Sequence, residues 1–253
     1  MAVHPAAAAG FDSGAAAYER GRPSYPATAV DLLVEELGIG PGATVVDLGA
    51  GTGKWTRLLV ERGARVVAVE PVAGMREQLA VAVPGVEVLD APAEAVPLPD
   101  GSVDAVTAAQ AFHWFDRPIA LAECARLLRP GGGLGMVWNA RDDSVPWVAE
   151  LDAIMTGPRG GVPAYDADID FAAAVAADGR FTPLQHRAVG SAQELDEAVL
   201  LDRVSSTSYI AALPGDRRAE VLESVRRLVA GFPPRFTLPH RTDVFWCHRR
   251  STP

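Results

Sequence analysis

Between an apolar run and an amphipathic one, the chain reads Val45-Val46-Asp47-Leu48-Gly49-Ala50-Gly51-Thr52-Gly53-Lys54-Trp55-Thr56. Three glycines on alternate positions after an acid force a tight turn from a buried strand into a helix N-terminus. Such a turn aims backbone N–H groups at a nucleotide-like ligand. Glycine belongs there because some positions need φ > 0 and because a Cβ would strike the ligand. Spacing then narrows the ligand class. A phosphate-binding P-loop would need glycine at Leu48 and a hydroxyl at Trp55. A dinucleotide fingerprint would need its third glycine at Lys54, where a long charged side chain stands. What survives is Asp-x-Gly-x-Gly-x-Gly.

A second apolar run, Arg65-Val66-Val67-Ala68-Val69-Glu70-Pro71, also ends in an acid, 17 residues past Gly53. A doubly wound sheet places a carboxylate near there to hold ribose hydroxyls, and two hydroxyls on one carboxylate make a charge-assisted pair. The period predicts a helix over 71–81, with Met75 set to lie on a flat base or to fill core. Strands follow at 86–90 and 103–110, a helix at 118–128 and a strand at 134–138. Ahead of the glycine turn, 27–37 reads as an amphipathic helix stopped by Gly38. Strands alternating with helices predict an α/β fold with a mostly parallel, doubly wound sheet.

The fourth strand leads into Ala109-Gln110-Ala111-Phe112-His113-Trp114-Phe115-Asp116, at the sheet edge where such folds bind ligands. Aromatics clustered there line a pocket or pack under a cap. Beyond Arg141 the period changes: a helix over 144–155, a loop over 156–170, a strand over 181–189, helices over 193–213 and 216–230, and a last strand at 244–247. The helical stretch between the last two strands exceeds what a hairpin needs, so a lid over the carboxyl edge is expected. The chain divides into a covering segment and helix (1–40), a cofactor-binding core (41–140), and lid insertions with the two closing strands (141–253).

At 253 residues with 49% hydrophobic content, one large domain with insertions has enough core. The net charge of −9 argues against nucleic acid as the main partner. Cys124 and Cys247 lack metal spacing and suit a reducing cytoplasm; no metal site is expected. The Ala-rich start lacks the basic and long apolar regions of a signal peptide, and no stretch is long enough to span a membrane. A monomer or homodimer is expected.

The Asp-x-Gly-x-Gly-x-Gly turn resembles the first motif of class I S-adenosylmethionine-dependent methyltransferases, a Rossmann-like fold with a seven-stranded sheet. The Ala-Glu-x-x-Pro-Leu-Pro-Asp-Gly-Ser-Val-Asp run from Ala93 to Asp104 and the Leu128-Arg129-Pro130-Gly131-Gly132 segment fit the same pattern. So do the opening Phe11-Asp12…Tyr18…Arg22-Pro23-Ser24-Tyr25-Pro26, the Gln110–Phe115 run and the closing Leu238-Pro239-His240-Arg241-Thr242-Asp243-Val244, which are similar to the small-molecule, trans-aconitate methyltransferase-like (type 11) branch. The resemblance spans nearly the whole chain.

It implies S-adenosylmethionine as cofactor, S-adenosylhomocysteine as product and a small-molecule acceptor. The turn residues Gly49, Ala50, Gly51, Thr52 and Gly53 would run beside the methionine and ribose, with Asp47 ordering the turn or reaching the ammonium through water. Glu70 would take the ribose. Pro71, Met75, Pro92, Ala93 and Glu94 would surround the adenine, although Pro92 stands where many relatives carry Asp. Tyr18, Arg22 and Tyr25 would close over the cofactor, with Gln110 beside it. His113, Trp114, Asn139 and Arg141 face the acceptor in this reading. His113 is a general base if the nucleophile is a hydroxyl or acidic carbon, or else a histidine that donates one hydrogen bond. A carboxylate acceptor would need no base, and Arg22, Arg141 and Arg203 would then matter more. Two other readings stay open: a cofactor-binding protein that performs a cyclisation or serves as a regulatory module, and a nicotinamide oxidoreductase, which Lys54 disfavours.

Overall fold

The computed structural model describes residues 24–158 and 171–251. Tyr18 and Arg22, with most of the expected covering segment, lie outside the described residues.

Seven strands form one sheet in the order β3-β2-β1-β4-β5-β7-β6. They are β1 (Thr44–Leu48), β2 (Arg65–Val69), β3 (Glu87–Leu89), β4 (Val103–Ala109), β5 (Leu128–Arg141), β6 (Gln185–Leu195) and β7 (Phe236–His248). The first five pair in parallel; β7 runs antiparallel to both β5 and β6. The parallel strands are near-continuous apolar runs because both faces are covered. Val45 of β1 points into one layer with α1 (Ala27–Glu36) and α2 (Lys54–Glu61); Val46 and Leu48 point into the other. Helix α3 (Ala73–Ala82) buries Leu79 beside Ala68 and Ala50. The opposite face carries α4 (Arg117–Leu127) and α6 (Phe171–Asp178). The expected Rossmann-like α/β architecture is therefore present.

Two strands set where the ligand edge lies. Helix α1 lies so close on β5 that a Cβ on Gly135 would stand 2.8 Å from Leu33. Asp104 ties the start of β1 to the start of β5, accepting from the Thr44 N–H (2.6 Å) and pairing with Arg129. Beyond the short parallel strands, β5, β6 and β7 continue past the carboxyl edge, and helices gather around that extension. These are α5 (Pro146–Thr156), α7 (Glu197–Ser205), α8 (Ser208–Ala211) and α9 (Gly215–Val229). They share a separate core of Val148, Leu151, Leu200, Val204, Val225 and Leu238. This is the helical lid.

Several boundaries depart from the sequence reading. The strand expected over 134–138 starts at Leu128, because the Arg129–Gly133 stretch bulges against β4 instead of ending a helix. The helix expected from 193 begins at Glu197; Gln193, Glu194 and Leu195 pair with Leu238, Thr237 and Phe236, and that pairing overrides local helical spacing. The strand expected over 181–189 begins at Gln185, since Pro183 cannot donate to a ladder; Phe181 makes only an isolated bridge to Arg249. Helix α6 was not anticipated. No helix among the described residues is long and apolar enough to cross a membrane. Cys124 and Cys247 are buried free thiols.

Candidate active site

A cleft of about 1040 Å³, open to solvent at its mouth, lies along the carboxyl ends of β1, β2, β4 and β5. Its floor is the turn after β1, and the three motif glycines there answer two different demands. A Cβ on Gly49 would sit 2.7 Å from Ala111, and one on Gly53 would sit 3.0 Å from Leu79, so both exist for packing. Gly53 does not line the cleft. Gly51 is different: at φ 57° it is left-handed, it lines the cleft, and a Cβ there would meet no atom of the described residues within 4 Å. A side chain at Gly51 would enter the space a ligand uses.

Two buried carboxylates flank the turn. Asp47 is 1% exposed, and accepts from Thr56 Oγ1 (2.7 Å) in the first turns of α2 and from Thr107 Oγ1 (3.5 Å) on β4. Burial pushes its pKa up to about 7 against the lowering pull of both hydroxyls. These bonds brace Asp47 between α2 and β4 at the start of the turn. Glu70 turns inward at the end of β2, and its oxygens accept from the N–H groups of Gly51 (2.8 Å) and Val72 (2.9 Å). Burial raises its pKa, opposed by those two N–H groups and by Arg76. Each carboxylate oxygen has a second lone pair for a ligand hydroxyl. A pocket floored by two desolvated acids favours a ligand bringing hydroxyl donors and positive charge.

Pro71, Val72 and Met75 form the wall beside Glu70, with Met75 3% exposed. Pro92, Ala93 and Glu94 are not among the lining residues, which departs from the adenine-surrounding role expected of them. Ala93 is buried in the core, and Glu94 accepts from the Asp116 N–H (2.8 Å) at the start of α4. On the other side, Tyr25 lines the cleft and meets Trp55 edge-on at 5.0 Å. Trp55 and Lys54, noticed in the sequence only as mismatches to other motifs, both line the cleft. The buried Trp55 indole N–H has no partner among the described residues, so a donor waits in the wall.

The exit of β4 makes the far wall. Gln110 takes a left-handed φ of 57° and donates to the Asn139 carbonyl (2.8 Å), while Asn139 accepts from Thr242 (2.6 Å) and donates to the Ser24 carbonyl (3.3 Å). A non-glycine residue held there is strained and needs such over-determination. Trp114 and Phe115 face the cleft. His113, on the 3₁₀ turn Phe112–Trp114, does not line it; its Nδ1 accepts from the Trp138 indole (3.4 Å). That bond leaves the ring proton on Nε2, where the ring donates. Arg141 also stays out of the lining: it pairs with Asp152 and so fastens α5 to β5. Arg203 of α7 does reach the cleft, 5% exposed. Its signal was in the sequence, because Leu200, Arg203 and Val204 share the buried face of one helix. Among the described residues no group of three or more His, Cys, Asp or Glu is placed to hold a metal ion.

Comparison with known proteins follows the same lines. The family description "Methyltransferase domain" matches residues 46–136. An uncharacterized methyltransferase of Mycobacterium tuberculosis H37Rv is 46% identical over 225 residues, covering 88% of this chain and 86% of its own length. A candidate type II methyltransferase of Anaeromyxobacter dehalogenans shares the fold with a TM-score of 0.63 at 26% identity, over 90% of this chain and 97% of that one. The [4+2]-cyclase SpnF is also similar in fold, with a TM-score of 0.55 and 16% identity over 92% of this chain and 84% of that one. The fold alone therefore does not decide the reaction.

Proposed function

The chain belongs to the class I S-adenosylmethionine-dependent methyltransferases, and from that premise we propose that it methylates a small-molecule acceptor held beneath the helical lid. The observation that carries the proposal is the pairing of Gly51, open to the cleft, with the inward carboxylate of Glu70. Bound there, S-adenosylmethionine supplies an electrophilic methyl on a sulfonium, so the protein need not build an electrophile.

The chain's own work is positioning and exclusion of water, where most of the barrier to an in-line displacement is removed. Glu70 receives the ribose hydroxyls. Gly51 lets the tail lie on bare backbone, and Asp47 beneath it offers negative charge to the ammonium. Pro71, Val72 and Met75 flank the base. Tyr25 closes the near side. Trp114 and Phe115 shape the acceptor space beside Gln110 and Asn139. His113 serves as a hydrogen-bond donor through Nε2 in the tautomer its Trp138 bond selects; the general-base reading needs the opposite tautomer. The acceptor takes the methyl through O, N or C, in a reducing cytoplasm. Cyclisation or a purely regulatory use of the cofactor is the competing reading, because a cyclase shares the fold.

Methyl-labelled S-adenosylmethionine incubated with the protein and a metabolite extract separates the two. Label appearing in a product other than the cofactor supports transfer. Label staying wholly in the cofactor contradicts it.

A further inference from the structure

Gln110 keeps a backbone conformation that its residue type resists. Among the described residues it is the one non-glycine with positive φ. Such a residue persists where its surroundings over-determine it, and it marks a place to look for function. Here β5 supplies both restraints. The Gln110 N–H donates to the Val137 carbonyl (2.8 Å), and its side-chain Nε2 donates to the Asn139 carbonyl (2.8 Å). A carbonyl only accepts, so the NH₂ end of the amide must face Asn139 and Oε1 must point away from it. No described residue donates to Oε1, and the atom is not buried. Gln110 lines the cleft, so this is the side-chain oxygen it offers there.

Its place in the sheet gives that oxygen a use. β4 lies between β1, which carries the glycine turn, and β5, which carries Asn139. Gln110 is thus one strand spacing, about 4.8 Å, from the cofactor floor on one side and from the acceptor wall on the other. A neutral amide oxygen accepts and cannot donate, so whatever meets it must bring an N–H or O–H. A carboxylate would set lone pair against lone pair, and a carbon or thioether nucleophile brings no donor. A hydroxyl has a donor but must give up that proton as it attacks. The cleft has no base free to take it. No histidine lines it among the described residues. Asp47 is braced by Thr56 and Thr107, and Glu70 holds the N–H groups of Gly51 and Val72.

We propose that Gln110 Oε1 accepts an N–H from the acceptor, and that the nucleophile is a neutral amine turned so that its lone pair faces the methyl. This rests on the methyltransferase reading and narrows its choice of O, N or C to nitrogen. The nitrogen lone pair forms the N–CH₃ bond while the S–CH₃ bond breaks and its electron pair goes to sulfur. The methylated nitrogen then gives its extra proton to water.

The test titrates full-length protein calorimetrically with S-adenosylhomocysteine and with sinefungin, a cofactor analogue carrying an amino group where the methyl would stand. That amino group supplies the N–H for Oε1; the nucleoside and amino-acid tail of the two ligands are alike. Gln110→Met should weaken sinefungin by about tenfold or more, the order of one hydrogen bond to a charged group, and leave S-adenosylhomocysteine within threefold. Gln110→Glu keeps acceptor oxygens and should hold sinefungin within threefold of wild type. Parallel loss of both ligands in Gln110→Met, no loss of either, or loss of sinefungin in Gln110→Glu as well overturns the proposal. A second readout needs no variant. Wild type is given S-adenosylmethionine labelled with carbon-13 in the methyl, together with a metabolite extract, and the resonance of the transferred carbon reports the atom it joined. N–CH₃ is expected; O–CH₃, S–CH₃ or C–CH₃ overturns the proposal. Failure of wild type to bind either ligand would instead overturn the methyltransferase reading.

Discussion

Asp47 carries most of the tension at the residue scale. The fold holds its proton up to about pH 7, against an ordinary value of 3.8. Between those values the folded chain binds more protons than the unfolded one, so Asp47's contribution to stability falls as pH rises and is lost above about 7. Asn can accept from Thr56 through its oxygen and donate through its amide nitrogen toward the Thr107 hydroxyl, without titrating. Asp47→Asn should therefore gain on wild type between pH 5 and pH 8 by about 2–3 kcal/mol, at 1.36 kcal/mol per pH unit. Denaturant unfolding of the cofactor-free protein at the two pH values checks this; parallel changes in the two proteins would contradict it. Glu70 shifts in the same direction in both proteins and cancels. The sequence marks Asp47 and Glu70 plainly, because an acid ending an apolar strand has few other uses. It does not separate Gly51 from Gly49 and Gly53, since what a Cβ would hit depends on Ala111 and Leu79, which are distant along the chain. Arg203 was hard to place for a related reason: an arginine on a helix's apolar stripe looks the same whether it snorkels to solvent or turns into a cleft.

The parallel core was the most legible set of elements. Each strand there is a short β-branched run with turn chemistry at both ends, and each helix repeats at 3.6 residues. The lid was not legible in the same way. Gln193–Leu195 joins β6 because β7 offers ladder partners, which no local pattern encodes. Helix α7 then starts at a cap: Asp196 accepts from the Val199 N–H at 2.9 Å. Asp196→Ala should cost about 0.5–2 kcal/mol, typically about 1, which for a chain this size lowers Tm by about 2–4 °C. A calorimetric scan checks it, and an unchanged Tm would show that the cap contributes nothing. S-Adenosylhomocysteine affinity should hold, because the cap lies away from the glycine turn.

For the whole molecule, the sheet order places two kinds of site side by side on one edge. A floor of β1, β2 and β4 meets a wall supplied by β5 and the lid, so one scaffold can keep its cofactor while the acceptor side varies. That division explains why the cofactor class was readable from the chain and the acceptor's identity was not: the glycine turn is contiguous, whereas Trp114, Asn139 and Arg203 converge only through the fold. The most direct test of the central claim is calorimetric titration of S-adenosylhomocysteine into wild type and Glu70→Ala side by side. Wild type should bind one equivalent, and the variant should bind more weakly by roughly 1.5–3 kcal/mol, the size of a lost charged hydrogen bond. No binding to wild type, or equal affinity in the two proteins, would contradict the account.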